Sequence, residues 1–583
     1  MQTLFLIAIV ILVSIPTLAK SPEKIYFYNL KADPIAKTYD ESLAVTCMQG
    51  IINRKEPVLW INPENPYRTD YWKDIMSKDN RWLQGKEWIK IETIDELRKF
   101  AGNKIKGIIV WDPNVPATVN VATTVAGAED LIVLSPEMAE EKAKIWNLKI
   151  KHDLRGKFDG SETGSPKNDA YRWAVREYLA KGKCSKEFMF LFEDTWNGKR
   201  DRGDLTYVLV RDWVITNKGF VFDLSPWGDE APKDDPNQTL GTDLETYLMI
   251  LSVQLAQTKG NLFTEFVGFF DFQKYSSEGG GSHEPIPTEW ETVRIISPYN
   301  CFQNTVAVGC YNQSFHRFYK FEPRKQKVNK NPEIKLENKT YVCIMMADYD
   351  STTTIYEFLP NHWSDPRRGE MPLSWGINPN LMDSYPDIID YFSDTATAND
   401  FIVADATCAG YFNPTRIDPK YMDLFTKHNK KYYDLMDIDV SPMILDVDDL
   451  TPVVKDAYLA FSPRGIGVCI SKDKYKTITF VQPEIWKESL PIINLDGAPD
   501  VFLKGEFFEK GDYKVFADWL YNEYFSKLDL NKPNFHYIRI VWSSPGAVID
   551  GMKTVKEHYP QVNLEVVDPY TFFGLFKENM KEK

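Results

Sequence analysis

Short apolar runs alternate along this chain with stretches whose apolar residues return every third or fourth position, the pattern of strands and helices taken in turn. Near the start, Lys24-Ile-Tyr-Phe-Tyr opens a strand, Ser42–Asn53 reads as helix, Pro57–Ile61 as strand and Thr93–Phe100 as helix. Gly107-Ile-Ile-Val-Trp-Asp112 is a continuous apolar strand ending in Asp, followed by a helix over Thr118–Ala126 and a strand over Asp130–Leu134. Strand, helix and strand at that spacing predict a βαβ unit in a parallel sheet. Helices are expected again over Asp169–Ala180 and Thr242–Gln257.

The pattern stops between Lys320 and Lys339, where seven Lys or Arg and two Pro stand among few apolar residues. Such a stretch reads as an exposed linker between two halves. Beyond it, strands are expected at Thr340–Ala347, Met371–Gly376, Asp400–Ala406, Ser441–Leu445, Gly465–Ser471, Thr477–Val481, Phe535–Trp542 and Asn563–Val567. Helices such as Lys420–Leu435, Thr451–Phe461, Gly511–Tyr524 and Gly546–Tyr559 fall between some of them. The expected class is α/β and multi-domain, with α/β N-terminal subdomains and a C-terminal β/α barrel-like domain; an open doubly wound sheet is the alternative. The units expected are 20–135, 136–235, 236–335 and 336–583, after a signal peptide over 1–19.

That signal peptide rests on the apolar run Leu4–Val13, which Pro16 breaks before the small residues of Thr17-Leu18-Ala19. The run is shorter than the roughly 20 residues a membrane-spanning helix needs. A periplasmic or secreted protein is therefore expected, with no membrane contact after cleavage. The net charge of −14 argues against nucleic acid as a partner, since a phosphate backbone is held by clustered Lys and Arg. The seven Cys show no C-x-x-C pair, and only Cys301 and Cys310 look placed for a bridge. Without H-E-x-x-H or paired C-x-x-C there is no recognisable zinc site, and no cofactor is expected.

Chemistry concentrates where apolar strands end in acids. In Cys343-Ile-Met-Met-Ala-Asp348-Tyr-Asp350, two Asp residues stand two apart, about 6.6 Å along a strand and on one face. Carboxylates that close repel, so one is expected to hold its proton and serve as a general acid; the pair could instead ligate a hard cation such as Ca²⁺, or simply sit in a solvated loop. Asp405 ends another strand on the same rim. Asp446, Asp448 and Asp449 repeat the device, but Thr451 before Pro452 favours a helix cap there. Glu484 with Trp486 pairs an acid with an aromatic face, an arrangement suited to sugars. His283, beside Gly279–Gly281, lies in a loop ahead of Thr288-Glu289-Trp290-Glu291 and is able to fold over such a site.

One loop goes further. Cys408-Ala-Gly410-Tyr411-Phe-Asn413-Pro414 resembles the Gly-x-Gly-Tyr-x-Tyr-Pro motif that names a bacterial, exported family of putative glycoside hydrolases. Gly410, Tyr411 and Pro414 match it, while Cys408 replaces the first Gly and Asn413 the second Tyr. Trp111-Asp-Pro with Ala122–Gly127, the Lys274–Glu291 stretch and Val566-Val-Asp-Pro-Tyr-Thr-Phe-Phe573 extend the likeness over nearly the whole mature chain. The family's Asp-Gly-Asp-Asn corresponds to Asp348-Tyr349-Asp350-Ser351, which keeps both acids.

The resemblance implies a carbohydrate-active hydrolase. Its expected catalytic residues are Asp348, Asp350, Asp405 and Glu484. Its expected substrate-binding residues are Tyr411, Gly410, Asn413, Trp375, Trp486, His283, Glu289 and Trp290. A non-catalytic glycan-binding protein on the same scaffold is the second reading, and a metal-dependent esterase or deacetylase, lacking the usual His ligands, the third.

Overall fold

The computed structural model describes residues 23–30, 35–63, 67–195, 206–229, 231–270, 272–275, 288–305, 307–472, 478–496 and 513–581. The expected signal peptide, His283 and Gly279–Gly281 lie outside them. The described residues form an α/β protein whose sheets are parallel apart from one edge strand. Lys24–Asn29 is flanked by Leu59–Asn62 and Glu87–Ile91. Gly107–Val110 is flanked by Leu131–Leu134 and Ile150–Asp153. A third sheet runs in the order Cys301–Asn304, Thr264–Gly268, Phe188–Leu191, Phe220–Phe222. Residue 135 thus falls between two strands of the second sheet, and residue 235 between strands of the third.

The reason for parallel pairing is visible in the strands themselves. Ile-Ile-Val, Leu-Ile-Val-Leu and Phe-Met-Phe-Leu are apolar on both faces and buried throughout, which requires helices on either side. The helix Thr118–Glu129 supplies one such layer, with every residue from Thr118 to Gly127 buried. Its polar members are satisfied inside the protein: Asn120 Nδ2 donates to Phe192 O at 2.8 Å, and Asn120 Oδ1 accepts from the buried Arg211 at 2.8 Å.

In the C-terminal half, Asp400–Val403, Leu373–Ile377, Thr340–Tyr349 and Asn534–Val541 lie side by side, with Leu564–Val566 against the start of Thr340–Tyr349. Val440–Asp446, Gly465–Ile470 and Leu490–Asn494 form the next group, edged by the antiparallel Glu484–Trp486. Backbone hydrogen bonds link the groups on both sides. Ala404 N–H donates to Val440 O at 3.3 Å and Thr407 N–H to Met443 O at 2.9 Å; Asp496 N–H donates to Tyr537 O at 2.8 Å and Arg539 N–H to Asp496 O at 3.1 Å. Thr477–Val481 is not a strand among its described residues, and Leu490–Asn494 takes that place. Pro491 hides the latter in the sequence, because a proline inside a run argues against a paired strand.

The basic stretch after Lys320 is strapped down instead of hanging free. Arg324 pairs with Asp390 at 2.7 Å, Lys325 with Asp437 at 2.6 Å and Lys330 with Asp437 at 3.1 Å. Gln326 bonds both backbone groups of Ile402, at 2.8 and 2.9 Å. Cys301 and Cys310 form no bridge: all seven cysteines are buried free thiols. Cys310 Sγ donates to Ala307 O at 3.0 Å instead.

Candidate active site

The strand Thr340–Tyr349 breaks register with its neighbour between Met346 and Tyr349, and Asp348 sits there at φ 66°. Left-handed backbone is tolerated by Asp better than by most side chains, but it still needs support. Asp405 provides it. Its Oδ2 accepts the N–H of Asp348 at 2.8 Å and of Tyr349 at 3.2 Å, while Oδ1 accepts the N–H of Ala406 at 2.9 Å. Gly376 makes room, since a Cβ there would lie 2.4 Å from Asp405 Oδ2. The bulge turns the Tyr349 side chain into the core and leaves Asp348 and Asp350 half-buried on either side of it.

Around this turn the charges are crowded. The Asp348 carboxylate is ion-paired with Arg539, which is only 7% exposed and stands in the middle of the neighbouring strand. The Asp348 carbonyl accepts the indole N–H of Trp542 at 3.0 Å. Burial pushes the Asp405 carboxyl up to about 7, Asp348 adding to the shift and Arg539 opposing it. Glu289 is pushed up to about 7 by burial and by Asp348, and its Oε1 accepts the Trp290 indole N–H at 3.1 Å. Asp350 is raised well above the ordinary carboxylate range by burial, then by Asp405, Asp348 and Glu289. Among the described residues no side chain donates to the Asp350 carboxyl. The arrangement pairs one carboxylate with an arginine and raises the proton affinity of the others, the division of labour that acid–base chemistry needs.

The 408–414 loop lies next to this turn. Gly410 has φ 105°, and a Cβ on it would stand 2.1 Å from the Phe302 ring, so glycine is required on both counts. Tyr411 and Gln303 exchange backbone hydrogen bonds at 2.9 and 3.0 Å, stitching the loop to the N-terminal half. Asn413 N–H donates to Ser297 Oγ at 2.9 Å, while the buried Asn413 Oδ1 has no partner among the described residues. Tyr411 and Asn413 line a cleft with Trp290, Asp446 and Ser471. That cleft closes to about 10 Å³, the space of one water. Asp446 accepts from Thr415 Oγ1 at 2.5 Å and from the N–H groups of Thr415 and Val447 at 2.9 and 2.7 Å; burial pushes it up to about 7.

Asp348, Asp350, Asp405 and Glu289 thus come together, with Trp290, Tyr411, Asn413 and Gly410 beside them. Other expected residues stand apart. Trp375 is wholly buried in the core, donates to Asp400 Oδ1 at 2.9 Å and packs on Trp363 at 4.9 Å. Glu484 is ion-paired with Lys455 in a separate groove of about 370 Å³, and Trp486, on the same edge strand, donates to Asp456 Oδ1 at 2.9 Å. Among the described residues no group of three or more His, Cys, Asp or Glu is arranged to hold a metal ion.

Two residues of the site escape the sequence pattern, and a third, Asp446, is legible there only in the shadow of a helix cap. Arg539 leaves a trace as a lone charge in the apolar strand Phe535–Val541, and Asp446 ends Met443-Ile-Leu-Asp446 but is overshadowed by the cap that follows it. Trp542, 44% exposed and tilted against the Phe358 ring at 4.8 Å, gives no signal at all. Asp348, Thr407 and Trp542 all have positive φ, at 66°, 76° and 45°, and each lies near the C-terminal end of a strand. Strained backbone of that kind gathers at functional sites.

Comparison with known proteins adds an independent view. A family model described as the GxGYxYP putative glycoside hydrolase C-terminal domain matches residues 338–577, and one described as the GxGYxYP_N second domain matches residues 105–182. The chain is similar in fold to a solved putative hydrolase from Bacteroides thetaiotaomicron VPI-5482, with a TM-score of 0.68, 15% identity and 96% of each chain covered. No curated protein matches it.

Proposed function

Because the chain belongs to the GxGYxYP family of putative glycoside hydrolases, we propose that it hydrolyses glycosidic bonds at the carboxyl cluster of Asp348, Asp350 and Glu289. The observation that carries this reading is the pairing of an arginine-bound Asp348 with a proton-holding Asp350 two residues away. In the proposed reaction Asp350 protonates the leaving oxygen, and Asp348 activates water or attacks the anomeric carbon. Asp405 does not touch the sugar; it fixes the backbone that aims both acids. Arg539 pairs with Asp348, and the neighbouring Glu289 raises the proton affinity of Asp350. The exposed part of Trp542 offers a ring on which a sugar stacks.

We read the strands that carry these residues as a closed β/α barrel, supported by the Ala404–Val440 and Asp496–Tyr537 links between the two groups. The carboxyl groups then stand at the C-terminal mouth, where barrels build their sites. We also read the protein as exported, on the Leu4–Ala19 pattern; N-terminal sequencing of the mature chain would find Lys20 first.

Turnover of an oligosaccharide panel by the wild type and by Asp348→Asn, Asp350→Asn and Glu289→Gln tests the proposal. Hydrolysis lost in the Asp variants with glycan binding retained supports it. Glycan binding without hydrolysis in any form supports the second reading, a binding protein.

A further inference from the structure

A cavity of about 440 Å³ lies on the far side of the 408–414 loop, walled by both halves of the chain. Pockets that hold small ligands start at about 300 Å³. None of the carboxyl groups described above lines it, and neither do Trp290, Tyr411 or Asn413. Its floor includes Glu265, Phe302 and His428, and its rim Arg317, Lys427 and Lys431.

The floor carries polar atoms without partners. Glu265 is 4% exposed; its Oε1 accepts from Asn304 Nδ2 at 2.9 Å, and no described group donates to its Oε2. That oxygen is left for whatever fills the cavity to bond. Burial pushes Glu265 up to about 8, so near neutral pH it carries a proton and both donates and accepts. His428 Nε2 lies 2.8 Å from Ala409 O and so carries the ring hydrogen, which leaves the Nδ1 lone pair as an acceptor. Burial lowers this ring to about 4, so it is neutral.

The charges around the cavity nearly cancel. Arg317, Lys427 and Lys431 stand against Glu187, Glu265 and Asp383, so three cations face three acids. Neither a strong anion nor a strong cation is selected. Phe302 and Phe263 add apolar faces. Mixed donors and acceptors over an aromatic floor, with little net charge, match a neutral polyhydroxylated ring, whose hydroxyls do both and whose C–H face is apolar.

We propose that this cavity is a second carbohydrate-binding site, taking a neutral mono- or disaccharide and separate from the carboxyl cluster. It lies on the helix Met422–Met436, which grips the motif loop through His428 and through Asn429 Oδ1, the acceptor for Ala409 N–H at 2.9 Å. The site does not depend on hydrolysis at the cluster, and its test reads binding alone.

Calorimetric titration of the full chain with maltose, cellobiose and lactose, each alone, tests the site. At least one should bind the wild type and bind Trp542→Ala equally well. Glu265→Gln and Lys427→Ala should each weaken that binding tenfold or more, about 1.4 kcal/mol per tenfold. Lys427 is exposed, so its variant remains informative if Glu265→Gln fails to fold. Absence of binding by all three sugars would overturn the proposal, as would binding that Trp542→Ala abolishes and Lys427→Ala leaves intact.

Discussion

The Asp405 carboxylate accepts the backbone N–H of Asp348 at 2.8 Å, across a separation of 57 residues. Through that bond one strand end sets the backbone of another, and the acids at positions 348 and 350 take their aim from it. Gly376→Ala would push the Asp405 carboxylate off this contact. Circular dichroism should report an intact fold while kcat drops at least about tenfold, since a misplacement of an ångström costs up to about a hundredfold.

Asp350 is the proposed proton donor, so Asp350→Asn should lower kcat by about 10²–10⁴-fold. Its melting temperature should hold or rise, because the amide removes a carboxyl crowded by Asp405, Asp348 and Glu289. Steady-state kinetics beside a thermal melt would check both halves of this expectation.

Arg539→Ala strands the Asp348 carboxylate. Removing one partner of a buried pair costs about 3–5 kcal/mol, and because Asp348 keeps 20% of its side chain in solvent the low end, about 3 kcal/mol, is expected. Chemical denaturation would measure it, and Arg539→Lys should recover part of the loss.

The pH dependence follows from the raised carboxyls. Asp405, Glu289 and Asp446 titrate near 7 in the fold, against about 4 in an unfolded chain. The folded state therefore binds these protons more tightly. Their contribution to stability is complete below about pH 4 and is lost as pH climbs through about 7. Melting temperature should fall between pH 5 and 8, and the double variant Glu289→Gln, Asp446→Asn should flatten that fall. Activity should decline on the alkaline side as the proton donor ionises.

Much of the fold is legible in the chain because parallel strands buried on both faces must be apolar throughout. Gly107–Val110, Leu131–Leu134 and Gly465–Ile470 stand out for that reason. The Thr451–Pro452 cap is equally plain, and Thr451 Oγ1 does accept from Val454 N–H at 3.4 Å. What the pattern hides is position off the regular strand. An i, i+2 rule puts Asp348 and Asp350 on one face of an even strand, whereas the bulge and the positive φ of Asp348 place them around a turn. Nothing local distinguishes Trp375, spent on Asp400, from Trp542, open to solvent. Glu484 and Trp486 form an acid–aromatic pair of the expected kind, yet their strand lies on the sheet edge. Gly410 is a glycine because of Phe302, a residue 108 positions earlier that only the fold brings near.

Gly410→Ala tests that packing. Strained backbone together with an overfilled contact should cost about 2–4 kcal/mol. Phe302→Leu in the same chain should return the packing part and leave the backbone part, a difference that a double-mutant cycle would resolve.

The most direct test of a sugar-cleaving mouth is a crystal of Asp350→Asn soaked with the oligosaccharides that the wild type hydrolyses. The account predicts a sugar ring against Trp542 with its glycosidic oxygen about 2.6–3.2 Å from the side chain at position 350. An oligosaccharide bound only elsewhere, with the space beside Asp348 and residue 350 holding solvent alone, would contradict it.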